Sequence, residues 1–233
     1  SEVLLSYILR ELAHEKDMKG LKVCVTAGPT RETIDPVRFI SNRSTGKMGF
    51  ALAKNAMERG ADVTLVSGPV ELKDVPFVKM VHVELARQMF EAVTKEAETA
   101  DIIVKAAAVA DYRPAVVADE KIKKKDGDMS IALERTDDII GTLGKTKRDN
   151  LFLCGFSMET EHMLENSKAK LEKKNLDMII ANNVKVKGAG FGTDTNVVTL
   201  ITKDEIKELP IMSKEDVADE IFNNILANRK GIV

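Results

Sequence analysis

The densest set of side chains able to do chemistry lies between Arg31 and Gly49. Arg31, Arg38, Asn42, Arg43, Ser44 and Thr45 share one stretch, and Gly46, Lys47, Met48 and Gly49 then open an amphipathic segment. A helix start beside glycines and hydroxyls offers free backbone N–H groups to an anion. Two familiar phosphate-binding templates fail here. The dinucleotide fingerprint needs three closely spaced glycines directly after a strand, yet Gly28 and Gly46 are far apart. The P-loop needs a hydroxyl directly after its Gly-Lys pair, where Met48 stands. A structural loop with solvated basic residues is the alternative reading.

A second group follows a later apolar run. Ala106, Ala107 and Ala108 leave room for a ligand near the backbone, and Asp111 can accept from a ligand hydroxyl or amine. Tight helix–sheet packing, with Asp111 as a cap, would use the same residues. Lys121, Lys123, Lys124 and Lys125 come next. Such a run is usually a solvated loop, but after a strand-end site it can also serve as a lid that carries a lysine to phosphate.

Apolar periodicity supplies the elements that must position these groups. Leu21–Ala27, Asp62–Ser67, Val78–Val83, Asp101–Ala107, Leu151–Phe156 and Asp177–Ala181 read as buried strands. Met48, Leu52 and Ala56 predict a helix ended by Gly60, and Ala86, Met89, Phe90, Val93 and Ala97 predict another. Glu161–Lys174 reads as a basic helix, and Ser213–Asn228 as a helix opened by a Ser213/Asp216 cap. Asn196–Thr202 and Glu205–Met212 predict a hairpin around Lys203 and Asp204. The expected fold is α/β: a Rossmann-like, doubly wound, mostly parallel sheet with helices on both faces and an antiparallel edge hairpin. Ligands of such sheets bind beyond the carboxyl ends of the strands. Residues 1–19 read as an amphipathic helix and linker, and 20–233 as the main domain.

Composition narrows the function classes. With 35 Lys and Arg against 37 Asp and Glu, a net charge of -2 gives no global drive toward nucleic acid or anionic lipid. No apolar run is long enough for a membrane span, and acids in the first residues make a poor signal peptide. Two cysteines, Cys24 and Cys154, lie in apolar runs and read as core filling in a reducing compartment, so the expected location is the cytoplasm. The three histidines are scattered, without zinc-ligand spacing. A start at Ser1 in place of Met raises the expectation of a processed chain or a piece of something larger.

The segment from Arg38 to Gly49 resembles the signature loop of bacterial phosphopantothenoylcysteine synthetases. Ala107–Pro114 and Glu120–Lys124 resemble that family's next motifs in the same order, and the likeness runs on through Gly155, Phe156, the lysine-rich helix, Ala181, Asn182 and Asn183. The resemblance implies ligation of 4′-phosphopantothenate to L-cysteine, driven by CTP with Mg2+ through an acyl-cytidylate. It implies catalytic roles for Asn42 and Lys121. It assigns Asp111, Lys121, Asp137, Asp138, Ile139, Ile140, Phe156, Lys170 and Lys174 to the nucleotide, and Arg38, Asn42 and Ala108 to the phosphopantothenate arm. Without it, Phe156 would be assigned to the core, and Lys170 and Lys174 to solvent. The family is dimeric, with the site completed across the interface. In most bacteria it is fused to a flavin-dependent decarboxylase, and no FMN is expected in this chain.

Two departures from the family pattern bear on the choice of nucleotide: Asp137 precedes Asp138 where a proline is typical, and Ser157 and Met158 replace two alanines. Two rivals remain. An NAD(P)-dependent oxidoreductase fits the α/β pattern but lacks the glycine fingerprint, and a nucleotide-sensing module would keep the pocket without turnover.

Overall fold

The computed structural model describes residues 2–124, 127–158, 162–182 and 192–229. Lys125 of the lysine run, Glu159 to Glu161, and Asn183 lie outside the described residues. The sheet strands are β1 (Lys22–Ala27), β2 (Asp62–Ser67), β3 (Lys79–His82), β4 (Ile102–Lys105), β5 (Phe152–Met158), β6 (Met178–Asn182), β7 (Val198–Ile201) and β8 (Ile206–Glu208). The helices are α1 (Glu2–Leu12), α2 (Lys47–Glu58), α3 (Ala86–Ala97), α4 (Ile139–Lys145), α5 (Met163–Lys173) and α6 (Lys214–Asn228).

The strands lie in the order β8-β7-β6-β5-β4-β1-β2-β3. β3 through β6 run parallel, and β7 and β8 add an antiparallel edge. This is the doubly wound arrangement expected from the sequence. Its order reverses between β1 and β4, where such folds open a crevice for ligands.

Burial on both faces explains the near-continuous apolar strands. On one face Val23, Val25 and Val104 meet Leu52, Ala56, Ile221 and Phe222 of α2 and α6. On the other, Cys24, Ile103, Leu153 and Ile179 meet Met89, Val93, Leu143 and Leu171 of α3, α4 and α5. Each large side chain enclosed this way contributes about 1.5–3 kcal/mol. Cys24 and Cys154 are free and buried, as core filling requires. Burial pushes the Cys24 thiol up to about 12, so it is inert as a nucleophile.

The expected helix ends hold. Gly60 follows α2 with φ 92°, and the Ser213 hydroxyl accepts from the Asp216 N–H at 3.0 Å. The apolar stripe of α1 is not buried: Val3, Leu4, Leu5 and Leu12 stand exposed, while Tyr7 packs edge-on against Phe77 at 4.7 Å between ring centres. Met18 lies fully buried in the main core.

Three elements were not foreseen. The connection after β1 is not structureless: Arg31–Thr33 and Phe39–Ser41 form an antiparallel ribbon. Tyr112–Pro114 and Leu133–Arg135 form another. The third is α4, which starts at Asp138. The late hairpin is shorter than expected, because Met212–Ser213 leaves it to pair with Thr195–Asn196.

Candidate active site

Two cavities open beyond the carboxyl ends of the parallel strands, one on each face of the sheet. The first, about 500 Å³, sits at the start of α2 and is lined by Asn42, Ser44, Gly46, Ala108, Asn182 and Lys214 among others. Gly46 takes φ 79°, a left-handed turn that glycine enters freely, and α2 begins at the next residue. Gly49 lets that helix lie directly on β1: a Cβ there would come within 2.5 Å of the Ala27 Cβ and 2.8 Å of the Thr26 carbonyl oxygen. The helix start is thereby brought onto the sheet end, where Gly46, Lys47, Met48 and Gly49 line the cavity.

Hydrogen bonds lock the loops around this cavity. The Asn42 amide donates to the Ala108 carbonyl at 2.9 Å, and the Ala108 N–H donates to Gly28 at 2.9 Å. The Thr30 hydroxyl accepts from the Ala110 N–H at 3.0 Å. Glu32, buried in the first ribbon, accepts from the Ala86 N–H at 2.9 Å and ties that ribbon to the start of α3. On the far wall Lys214 donates to the Thr193 carbonyl, and Lys47 pairs with Asp194 at 2.6 Å. Burial, and then the Lys47 charge, hold the Lys214 ammonium below its ordinary pKa.

The second cavity, about 430 Å³, lies on the α4 and α5 face. It gathers Asp111, Asp137, Asp138, Ile139, Ile140, Phe156, Lys170 and Lys174 from four separate stretches of chain. Asp138 caps α4 by accepting from the Gly141 N–H at 3.1 Å, and its carboxylate also takes the Lys174 ammonium at 3.0 Å. Burial would raise the Asp138 pKa; the Lys174 and Gly141 hydrogen bonds outweigh it and leave the carboxyl below its ordinary value. Lys174 can come this close because Gly144 has no side chain: a Cβ there would overlap the Lys174 carbonyl oxygen at 1.8 Å. Asp111 and Phe156 line both cavities, so the two share a wall. Phe156 is a partly buried cavity wall and not closed core.

Two expected site residues stand apart from both cavities. Lys121 is exposed and lines neither. Arg38 is turned to Asp35 and to the lysine run: its Nε donates to Asp35 at 3.0 Å, and its Nη2 donates to the Ile122 carbonyl at 2.8 Å. The same Asp35 carboxylate accepts from the Ile122 N–H at 3.1 Å. Asp35 therefore pins the lysine run next to Lys121. Arg38, against the opposing effect of burial, holds its carboxyl far below the usual range.

Sequence reasoning passed over Asp35, Lys105, Asn196 and Lys214, and named Asn182 only as part of the family resemblance. The Asp35-Pro36 pair with Arg38 three residues on is a readable turn signal; Lys105, at the end of a strand, carried none. Among the described residues no group of three or more His, Cys, Asp or Glu could hold a metal ion. Mg2+ is ordinarily held by one or two carboxylates together with substrate phosphates. The acids of the second cavity fit a cation that arrives on a nucleotide.

The chain matches the family described as "DNA/pantothenate metabolism flavoprotein C-terminal domain" over residues 18–228. It belongs to that family. It is 51% identical over 216 residues to the coenzyme A biosynthesis bifunctional protein CoaBC of Bacillus subtilis (strain 168), a match covering 91% of this chain and 53% of the relative. CoaBC of Escherichia coli (strain K12) is 45% identical over 213 residues, covering 90% of this chain and 52% of that one. The chain thus spans about half the length of these curated relatives. A crystal structure of the C-terminal domain of CoaBC superposes with a TM-score of 0.77 at 44% identity, covering 89% of this chain and 95% of that one. The matched stretch corresponds to the C-terminal part of these relatives, in line with the likeness to the solved C-terminal domain of CoaBC. Among the described residues no helix is long and apolar enough to cross a membrane.

Proposed function

We propose that this chain is a phosphopantothenate–cysteine ligase that uses CTP and Mg2+ in the cytoplasm. One observation carries the reading: a cavity of lysines and acids suited to a triphosphate shares the Asp111/Phe156 wall with a cavity that holds Asn42 against Ala108. An activated-carboxylate reaction needs that juxtaposition, because the nucleotide's α-phosphate and the acyl group must meet.

In the first half-reaction the 4′-phosphopantothenate carboxylate attacks the α-phosphate, forming an acyl-cytidylate and releasing pyrophosphate. The L-cysteine amine then attacks the acyl carbon and loses a proton, CMP leaves, and the amide forms. Lys170 and Lys174 offset triphosphate charge, and bound Mg2+ would share that work. Asn42 holds the acyl carbonyl and orients it for the amine. Lys121 meets the phosphoryl oxygens when the segment carrying it closes, in a homodimer that completes the site. The homodimer is supported by the apolar side chains that the two ribbons and their flanks leave exposed, among them Val37, Phe39, Tyr112, Val116 and Leu133. The longer relatives, bifunctional by name, support a fused or associated decarboxylase half.

The test is pyrophosphate release with CTP, and separately ATP, in the presence of Mg2+ and 4′-phosphopantothenate, with and without cysteine. Release that depends on phosphopantothenate, with cysteine joined into the product, supports the ligase. No release with either nucleotide from folded, dimeric protein refutes it, and tight nucleotide binding in that case would select a sensing module.

A further inference from the structure

The second cavity holds a cation that the family resemblance does not assign. Lys105 ends β4, in register with Gly155 of β5 and Thr26 of β1. Strand side chains alternate between faces, and Ile103 packs on the α3, α4 and α5 side, so Lys105 rises from that same face into the cavity. Its stem is partly buried. Lys174 has taken the Asp138 carboxylate, and the Lys105 ammonium makes no hydrogen bond and no salt bridge with any described residue, although the Asp111 and Asp138 charges act on it. An enclosed ammonium left without an anion is costly, and the cost is removed when an anionic ligand arrives.

We propose that Lys105 is a nucleotide-binding residue whose ammonium joins Lys170 and Lys174 in a three-lysine cradle for the triphosphate. This rests on the nucleotide reading given above and extends it to a residue on the sheet itself. The pKa of Lys105 lies below its ordinary value, first through burial, then through the Lys174 charge, and more weakly through Lys170. Asp111 and Asp138 oppose that shift, and Arg135 and Asp137 also line the cavity. A polyanion seated among the three lysines raises the Lys105 pKa again. Binding therefore takes up a proton at a pH between the Lys105 pKa of the free chain and that of the complex, and affinity falls as pH rises through that window.

The experiment is calorimetric titration of the whole chain with CTP, ATP and inorganic tripolyphosphate, each in two buffers of different ionisation enthalpy at each step of a rising alkaline pH series. The wild type is expected to bind with proton uptake in the upper part of that series. Lys105→Met should weaken each probe at least about tenfold, the worth of one charge-assisted contact, and abolish the uptake. Its KM for phosphopantothenate and for cysteine should not change. The variant's melting midpoint should equal or exceed that of the wild type, since a partly buried charge without a partner among the described residues is gone. Lys105→Arg, with a permanent charge, should bind the nucleotide without proton uptake. Equal affinity and equal uptake in folded Lys105→Met overturn the Lys105 assignment alone. A wild type that binds none of the three probes overturns the nucleotide reading as well.

Discussion

The two cavities are built in different ways. The first is built mainly of backbone (a left-handed glycine, a helix start, and loops tied together through Asn42, Ala108, Gly28 and Thr30), with Lys47 and Lys214 on its far side. The second is walled by charge: Lys105, Lys170, Lys174, Asp111 and Asp138 reach it from separate elements. A backbone wall fixes position and tolerates little change of shape. A charged wall fixes affinity and responds to salt and pH. The contrast suits the two tasks of the proposed acyl-activating reaction, holding one group still and gripping a polyanion.

Four outcomes would break or sharpen that contrast. The largest effect is expected at Asn42, whose amide bridges to Ala108 across the first cavity. Asn42→Asp should slow amide formation by about a hundredfold, as losing an oxyanion-type donor does, and spare acyl-nucleotide formation by comparison. Equal loss in both half-reactions, measured in single turnover, would remove the assigned role.

Next is Gly49, where the closeness of α2 to β1 leaves no room for a methyl group. Gly49→Ala should cost about 1–3 kcal/mol in urea unfolding through overpacking. A neutral result would mean that the helix can lift without penalty and that the first cavity is not rigid.

In the second cavity, Lys174→Met removes the partner of Asp138. It should raise the nucleotide KM by about tenfold and flatten its dependence on salt, with the phosphopantothenate KM unchanged. A matching rise in both constants would show that the cavities are not separable.

The smallest effect concerns pH. Asp35 is buried and its folded pKa is depressed, so its stabilising contribution is full above the unfolded value of about 4 and is lost as pH falls through the folded one. Asp35→Asn should therefore be less stable than the wild type at neutral pH and lose less on acidification. Parallel acid-unfolding curves for the two proteins would contradict this.

Much of the frame was legible before folding, because strands buried on both faces must be apolar almost throughout. The six parallel strands and the edge hairpin could be read from that signal within a few residues. The short elements could not. α4 is seven residues long and carries Gly141 and Gly144, which lower helix propensity; it forms because Ile139, Ile140 and Leu143 are buried and Asp138 caps it. The ribbons are three-residue strands, too short to show a period of two. The chemistry-bearing stretch from Arg31 to Gly49 does run along the first cavity, through Asn42 to Gly49, and it holds a ribbon that residue types did not announce.

The sequence by itself determined which segments are strands, where glycine must turn the chain, and which motifs mark this family. These are local properties or patterns of residue type. Only the tertiary structure decided the strand order, the shared wall at Asp111 and Phe156, the pairing of Asp35 with Ile122, and the place of Lys105 in the second cavity. Those depend on contacts between residues far apart in the chain. Whether a charge is matched, moreover, is settled only by which other charges the folded sheet brings beside it.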